Sequence, residues 1–311
     1  MNPSQTESSV PSYNSRLDEI SGVADIYKTY ECSDETINWW CGGCGNFAIQ
    51  NALKRALALQ GIPREKALFC FDVGCNGNGS DKIEGYTIHG LHGRVLPLAA
   101  GAKLGNKDMV VIASAGDGAT LSEGVNHLIH TIRNDYPIIF LHHDNQNYAL
   151  TTGQASARTQ KGCKRNATPR GTTQEPIDTL SLVMGADPTF VARTLSADVN
   201  HMTETFIKAL KHNGFAFIDI AQNCPTYNKE VNNQWYLDHV MEVDTFSDYE
   251  VSNPKSIQNV VEKNREKIPI GLLYHNPRKQ DIWADFPWLE TEKSLAHKVK
   301  KHNVSGLIAS L

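Results

Sequence analysis

The sequence of 311 residues has no apolar run near the ~18–20 residues that a membrane-spanning helix requires. Its opening, MNPSQTESSVPSYNSRLDEI, has no apolar centre of the kind a secretory signal needs. A membrane protein and a secreted one are therefore not expected, and a cytoplasmic location is. An excess of one charge is missing too. Thirty Lys and Arg stand against 34 Asp and Glu, a net charge of −4, so no bulk attraction to nucleic acid exists. There is no internal repeat and no low-complexity tract. Seven cysteines are an odd and scattered set, unlike a secreted disulfide scaffold. In a reducing compartment such cysteines more often serve metal binding or catalysis.

What is present is an alternation. ALFCFDVG (67–74), DMVVIASAG (108–116), YPIIFLHHDN (136–145) and FAFIDIAQ (215–222) are short apolar runs that end in turn or polar residues. They read as buried parallel strands. Between them, Leu121, Val125, Leu128, Ile129 and Ile132 form one helical stripe, and Val199, Met202, Phe206 and Leu210 another. The expectation is an α/β fold with a doubly wound, mostly parallel sheet, ligands being held at the carboxyl ends of its strands. Residues 1–25 are expected to be a flexible segment, 26–230 the α/β domain, and 231–311 an irregular extension that contacts a partner.

Gly116-Asp117-Gly118 lies between an expected strand and an amphipathic run. The glycines allow close backbone approach to a ligand, and the helix N-terminus that should follow favours anions. Asp117 offers a hard oxygen for Mg²⁺. Asn145 ends the next strand, which brings it to the same edge, and the Asn147 carbonyl is a third candidate ligand. As an isolated tripeptide, Gly-Asp-Gly reads more readily as a plain turn. With its strand, helix, strand and Asn, the segment resembles the diphosphate-binding motif of thiamine diphosphate enzymes. In that motif Asp and Asn hold Mg²⁺ against the diphosphate.

Cys41 and Cys44 form a C-x₂-C pair, and Cys75 and Cys224 each follow an expected strand. Four converging thiolates suit tetrahedral zinc or a 4Fe–4S cluster. A thioredoxin-like dithiol would leave Cys75 and Cys224 without a role. Cys32, Cys70 and Cys163 stand outside this set, and Cys70 reads as core. The run Arg158, Lys161, Lys164, Arg165 and Arg170 reads as a solvated loop, or as a surface for coenzyme A phosphates or an acidic ferredoxin.

WCGGCGN, GCNGNGS, IHGLHGRVLPLAAGAKL, GDGATLSEGVNHLIHTIRN, DNQNYALTTGQ and NCPTYN share the order and spacing of a known family. Together they resemble the β subunit of 2-oxoacid:ferredoxin oxidoreductases of the 2-oxoglutarate or pyruvate type, and IPIGLLYHNP (268–277) resembles its C-terminal part. The resemblance implies the thiamine diphosphate-binding fold and CoA-dependent oxidative decarboxylation of a 2-oxoacid, with electrons passing to ferredoxin. It implies 4Fe–4S ligation by Cys41, Cys44, Cys75 and Cys224, and Mg²⁺ at Asp117, Asn145 and Asn147. Gly116, Gly118 and Thr151 would join the cofactor site, and His89 and His92 would line the reaction pocket. An α subunit would supply the pyrimidine-binding domain and its activating Glu, giving a heterodimer or heterotetramer. Two departures are Ala119, where the family often has Asp, and Thr152, where two-subunit members often have Lys. The competing reading is a non-redox thiamine diphosphate decarboxylase or synthase subunit with a structural zinc.

Overall fold

A computed structural model describes residues 22–33, 39–264, 266–277, 282–285, 294–297, 305–308 and 310. The segment expected to be flexible lies almost wholly outside them. Its last residues open helix α1 (Val23–Thr29).

The apolar runs form strands at the expected places, shorter at their ends: β1 (Ala67–Phe71), β3 (Val110–Gly116), β4 (Ile139–Asp144) and β6 (Ala216–Ala221). Two further strands in this part of the chain are β2 (Tyr86–His89) and β5 (Phe190–Leu195). With β7 (Val240–Glu242) and β8 (Ile268–His275), the sheet has eight strands among the described residues, in the order β2-β1-β3-β4-β6-β5-β8-β7. From β2 to β5 every pairing is parallel.

Period-2 alternation along the strands feeds two cores, one on each face. Cys70, Val111, Ala113, Phe140 and Phe217 face one layer. There they meet α3 (Val95–Gly105), α4 (Val125–Asn134), α5 (Thr179–Met184) and α8 (Pro254–Lys263). Phe69, Phe71, Ile112, Leu141 and Ile218 face the other, against α2 (Gly45–Leu59) and α6 (Val199–Leu210). Cys70 is fully buried core, as its position in an apolar strand suggested.

Two expectations need correcting. The residues after 230 are not simply irregular. They supply α7 (Asn233–His239), β7 (Val240–Glu242), α8 and β8 (Ile268–His275). β8 joins the main sheet antiparallel to β5. The stripe from Leu121 to Ile132 is not one helix either. Ala119–Glu123 is a single wide π turn, the helical path is interrupted at Gly124, and α4 begins at Val125. Leu121 is buried regardless, whereas Ile129 points outward at 37% exposure. A wide turn of this kind is a frequent mark of a functional site.

Candidate active site

The carboxyl ends of β1, β3, β4 and β6 carry the motifs. Parallel register sets Gly116 of β3 beside His143 of β4. Asp117 and Asn145 therefore leave adjacent strands at the same edge. A cavity there is lined by Cys75, His92, Gly116, Asp117, Gly118, Asn145, Asn147 and Thr151, among others. Every residue expected to hold the diphosphate and Mg²⁺ meets at this one place. His92 belongs to the lining and His89 does not. His89 is exposed at the end of edge strand β2, its ring against Gly77.

Gly118 has a specific reason to be glycine. A Cβ there would lie 2.2 Å from the Tyr148 ring. The tyrosine, tethered by its hydroxyl to Glu123 Oε1 at 2.8 Å, packs directly on the turn. Burial pushes the Tyr148 hydroxyl up to about 12, so it stays protonated and donates.

Asp117 is almost fully buried, and burial, aided by nearby Asp144, pushes its carboxyl up to about 7. Two other buried acceptors, Asp144 Oδ1 and Asn147 Oδ1, have no hydrogen-bond partner. A buried carboxylate short of positive charge, with acceptor oxygens unpaired beside it, fits a small hard cation.

A second cavity adjoins the first, lined by Cys41, Cys44, Cys75 and Cys224 with Trp39, Trp40 and Thr226. Cys75, Asn145, Ala149 and Gln222 line both. The C-x₂-C turn closes with Cys44 N–H on the Cys41 carbonyl at 3.1 Å, and Cys44 caps α2. Gly45 lets that helix end approach β6. A Cβ on it would meet Gln222 Cγ at 2.6 Å and Ser196 Oγ at 2.7 Å. Cys224 sits in a tight turn in which Asn228 N–H bonds the Cys224 carbonyl at 3.0 Å. All seven cysteines are free thiols. Burial pushes Cys44 up to about 11 and Cys75 up to about 12, and the neighbouring thiols add to both. Thr226 Oγ1–H and Gln222 Nε2–H already donate to Cys41 Sγ at 3.1 Å and Cys44 Sγ at 3.9 Å. Thiols bind metal as thiolates, so a metal held here would displace their protons. Among the described residues, no three His, Cys, Asp or Glu side chains stand close enough to hold a single metal ion.

Residues that sequence reasoning missed hold this frame in place. The Asp72 carboxylate, at 0% exposure, accepts from the N–H groups of Val73, Gly93, Arg94 and Val95 and pairs with His92 Nδ1 at 3.1 Å. A carboxylate only accepts, so His92 Nδ1 carries the proton. His143 is buried between Ser114 Oγ at 2.9 Å and the oxygens of Asn46 and Gln222, each at 3.1 Å. Burial lowers it to about 4, so it is neutral, with its Nδ1–H facing the two amide oxygens. His142 and Arg193 both bond Asp219, at 2.9 and 2.8 Å. Burial would raise Asp219, but these partners hold it below the usual carboxylate range. The visible signal was polar residues inside apolar strand runs, which must find partners when buried.

The basic loop is also corrected. Arg158 is not solvated, since its side chain is 17% exposed and bonds Asp144 Oδ2 at 2.9 Å. Arg165 reaches Asn228 Oδ1 at 3.4 Å. Lys161 does remain on the surface, paired with Glu175.

The family described as thiamine pyrophosphate enzyme, C-terminal TPP binding domain, matches residues 72–220. The family described as the C-terminal part of the pyruvate ferredoxin oxidoreductase beta subunit matches residues 224–289. A 2-oxoacid:ferredoxin oxidoreductase subunit beta of Sulfolobus sp is 36% identical over 252 residues, which cover 77% of this chain and 82% of that one. The 2-oxoglutarate oxidoreductase subunit KorB of Mycobacterium tuberculosis is 38% identical over 196 residues, 63% of this chain and 52% of that one. A solved structure of 2-oxoglutarate:ferredoxin oxidoreductase from Magnetococcus marinus, with 2-oxoglutarate, coenzyme A and succinyl-CoA bound, superposes with a TM-score of 0.80. It is 28% identical, with 91% of this chain and 95% of that chain covered.

Proposed function

The chain belongs to the family of 2-oxoacid:ferredoxin oxidoreductase β subunits, and from that premise we propose how its two adjoining cavities divide the work. The first takes thiamine diphosphate, with Mg²⁺ at Asp117, Asn145 and Asn147. The second takes a 4Fe–4S cluster on Cys41, Cys44, Cys75 and Cys224. The observation that carries this is the shared wall of Cys75, Asn145, Ala149 and Gln222. Bound thiamine diphosphate supplies an electron sink for decarboxylating a 2-oxoacid, and the cluster supplies one-electron acceptance toward ferredoxin.

The chain's own residues orient and exclude. Gly118 and the π turn fix the backbone at the diphosphate end of the cavity. Asp72 holds His92 with Nδ1 protonated, which leaves Nε2 to accept a proton or hydrogen bond at the pocket rim. Neutral His143 and Gln222 form a buried wall. The zinc reading is not favoured, because the relatives are ferredoxin-linked enzymes.

Membership of a β-subunit family implies an α partner and a heteromer. We assign the activating Glu to that partner, and no glutamate is among the described residues that line the first cavity. The substrates are a 2-oxoacid and coenzyme A. 2-Oxoglutarate is the first to test, since several of the relatives are named for it. We place the protein in the cytoplasm, since cluster ligation by reduced cysteines suits a reducing compartment.

The test is metal and cofactor analysis of the α–β complex purified without oxygen. About four irons per chain with thiamine diphosphate, and a brown spectrum, support the proposal. Thiamine diphosphate with zinc and no iron overturns it. Cys75→Ser should lose iron, and Cys163→Ser should keep it.

A further inference from the structure

The segment Ser156–Thr159 folds back over the carboxyl ends of β3 and β4 and is tied to both. Thr159 Oγ1–H donates to the Gln146 carbonyl at 2.6 Å and accepts from Ser156 N–H at 2.9 Å. Arg158 Nε–H bonds Asp144 Oδ2 at 2.9 Å. The Ser156 hydroxyl oxygen receives the Arg158 backbone N–H at 3.2 Å, and its own proton goes to Asp117 Oδ2. A hydroxyl has a single proton. With a backbone donor already placed on its oxygen, that proton has a fixed direction, and Asp117 is at the end of it.

Asp117 thus has one carboxylate oxygen engaged. Asp117 lines the cavity, and its second oxygen is the one available to a cation. We propose that Ser156 is a positioning residue for the divalent cation: it locks the Asp117 carboxylate so that one oxygen is presented to the metal. The inference rests on the magnesium reading above and deepens it. An outer hydrogen bond that orients a ligating carboxylate typically accounts for ~10–100-fold in metal affinity. The signal was absent from the sequence, because Ser156 lies 39 residues from Asp117 in a run dominated by basic residues.

The experiment uses the intact α–β complex, freed of diphosphate cofactor and divalent cations by a chelator, with thiamine diphosphate held at saturation. Mg²⁺ is titrated and bound thiamine diphosphate is measured by calorimetry. Ser156→Ala should need ~10–100-fold more Mg²⁺ for half-saturation. Ser156→Thr, which keeps the hydroxyl, should stay near wild type. At saturating Mg²⁺ the alanine variant should recover most of its turnover, so the loss sits in metal affinity. A melting temperature taken without metal separates this from a fold defect. An unchanged or tighter Mg²⁺ midpoint in Ser156→Ala, with or without a lower melting temperature, overturns the proposal. A wild-type complex that binds thiamine diphosphate equally well without divalent cation overturns the magnesium reading, and the role of Ser156 falls with it.

Discussion

Arg158→Met tests whether the buried charge pairing beneath the site is structural. Arg158 and Asp144 are 17% and 7% exposed, and their 2.9 Å contact is the only hydrogen bond that reaches Asp144 Oδ2 among the described residues. Asp144 raises the Arg158 guanidinium further above its already high range, the sign expected of a favourable pair. Methionine keeps the apolar stem and removes the charge. Asp144 is then left as a buried carboxylate with Asp117 and Asp219 nearby. Removing one partner of a buried pair costs ~3–5 kcal/mol, and the residual exposure of Arg158 argues for the lower end, ~3 kcal/mol. At ~2 °C per kcal/mol for a chain of this size, the melting temperature should fall by ~6 °C.

The double variant Arg158→Met/Asp144→Leu removes the stranded charge as well. A buried pair replaced by apolar residues of similar volume is often neutral. The double variant should therefore melt higher than the single one, which is a departure from additivity and measures the coupling of the pair. Thermal denaturation of wild type, both singles and the double, each as the α–β complex, closes the cycle. A shift within ~1 °C for Arg158→Met, or strictly additive losses, would refute the reasoning and return the loop to the solvated class.

Three more outcomes are expected. Gly118→Ala drives a Cβ into the Tyr148 ring and should abolish thiamine diphosphate binding, and Gly118→Ala/Tyr148→Ala should restore part of it by calorimetry. His212, between Thr189 Oγ1 and the His275 ring, is lowered by burial to about 4. The unfolded chain takes up that proton below pH ~6.5 and the native state does not, so stability falls with pH from ~6.5 to about 4, by less than ~1.4 kcal/mol per pH unit because the ring is only partly buried. His212→Gln should flatten that slope in urea melts. Asp198 caps α6 through the N–H groups of Asn200 and His201, and Asp198→Ala should cost ~1 kcal/mol in the same melts without changing cofactor binding.

Four of the six parallel strands were legible because both faces of the sheet are covered, which turns each strand into a continuous apolar run. β5 was not. Arg193 interrupts FVARTL, and only the neighbouring strand reveals that Asp219 satisfies it at 2.8 Å. β2 was illegible for the opposite reason, being a short edge strand with Tyr86 and Ile88 exposed. The π turn stayed hidden because Leu121 is buried whether or not the helix is continuous. Convergence of Cys75, Asp117, Asn145 and Cys224 was legible, since each follows a strand and parallel strands share one carboxyl edge, whereas Cys41 and Cys44 precede β1 and reach that edge at the start of α2. The true setting of Arg158 was not, because its anion lies 14 residues upstream, inside what reads as a strand end.

The concentration of buried polar groups at that edge has a physical logic. Gln222 accepts from His143, donates to Asn46 Oδ1 at 3.1 Å, and reaches Cys44 Sγ. One side chain thus ties β4, the start of α2 and Cys44 into the wall between the cavities. Each of these polar groups costs stability unless satisfied, and satisfying them from three elements fixes their relative positions more tightly than apolar packing would. On the proposed division of the two cavities between cofactor and cluster, electron transfer would cross this wall, and a fixed separation is what its polar cross-links would supply.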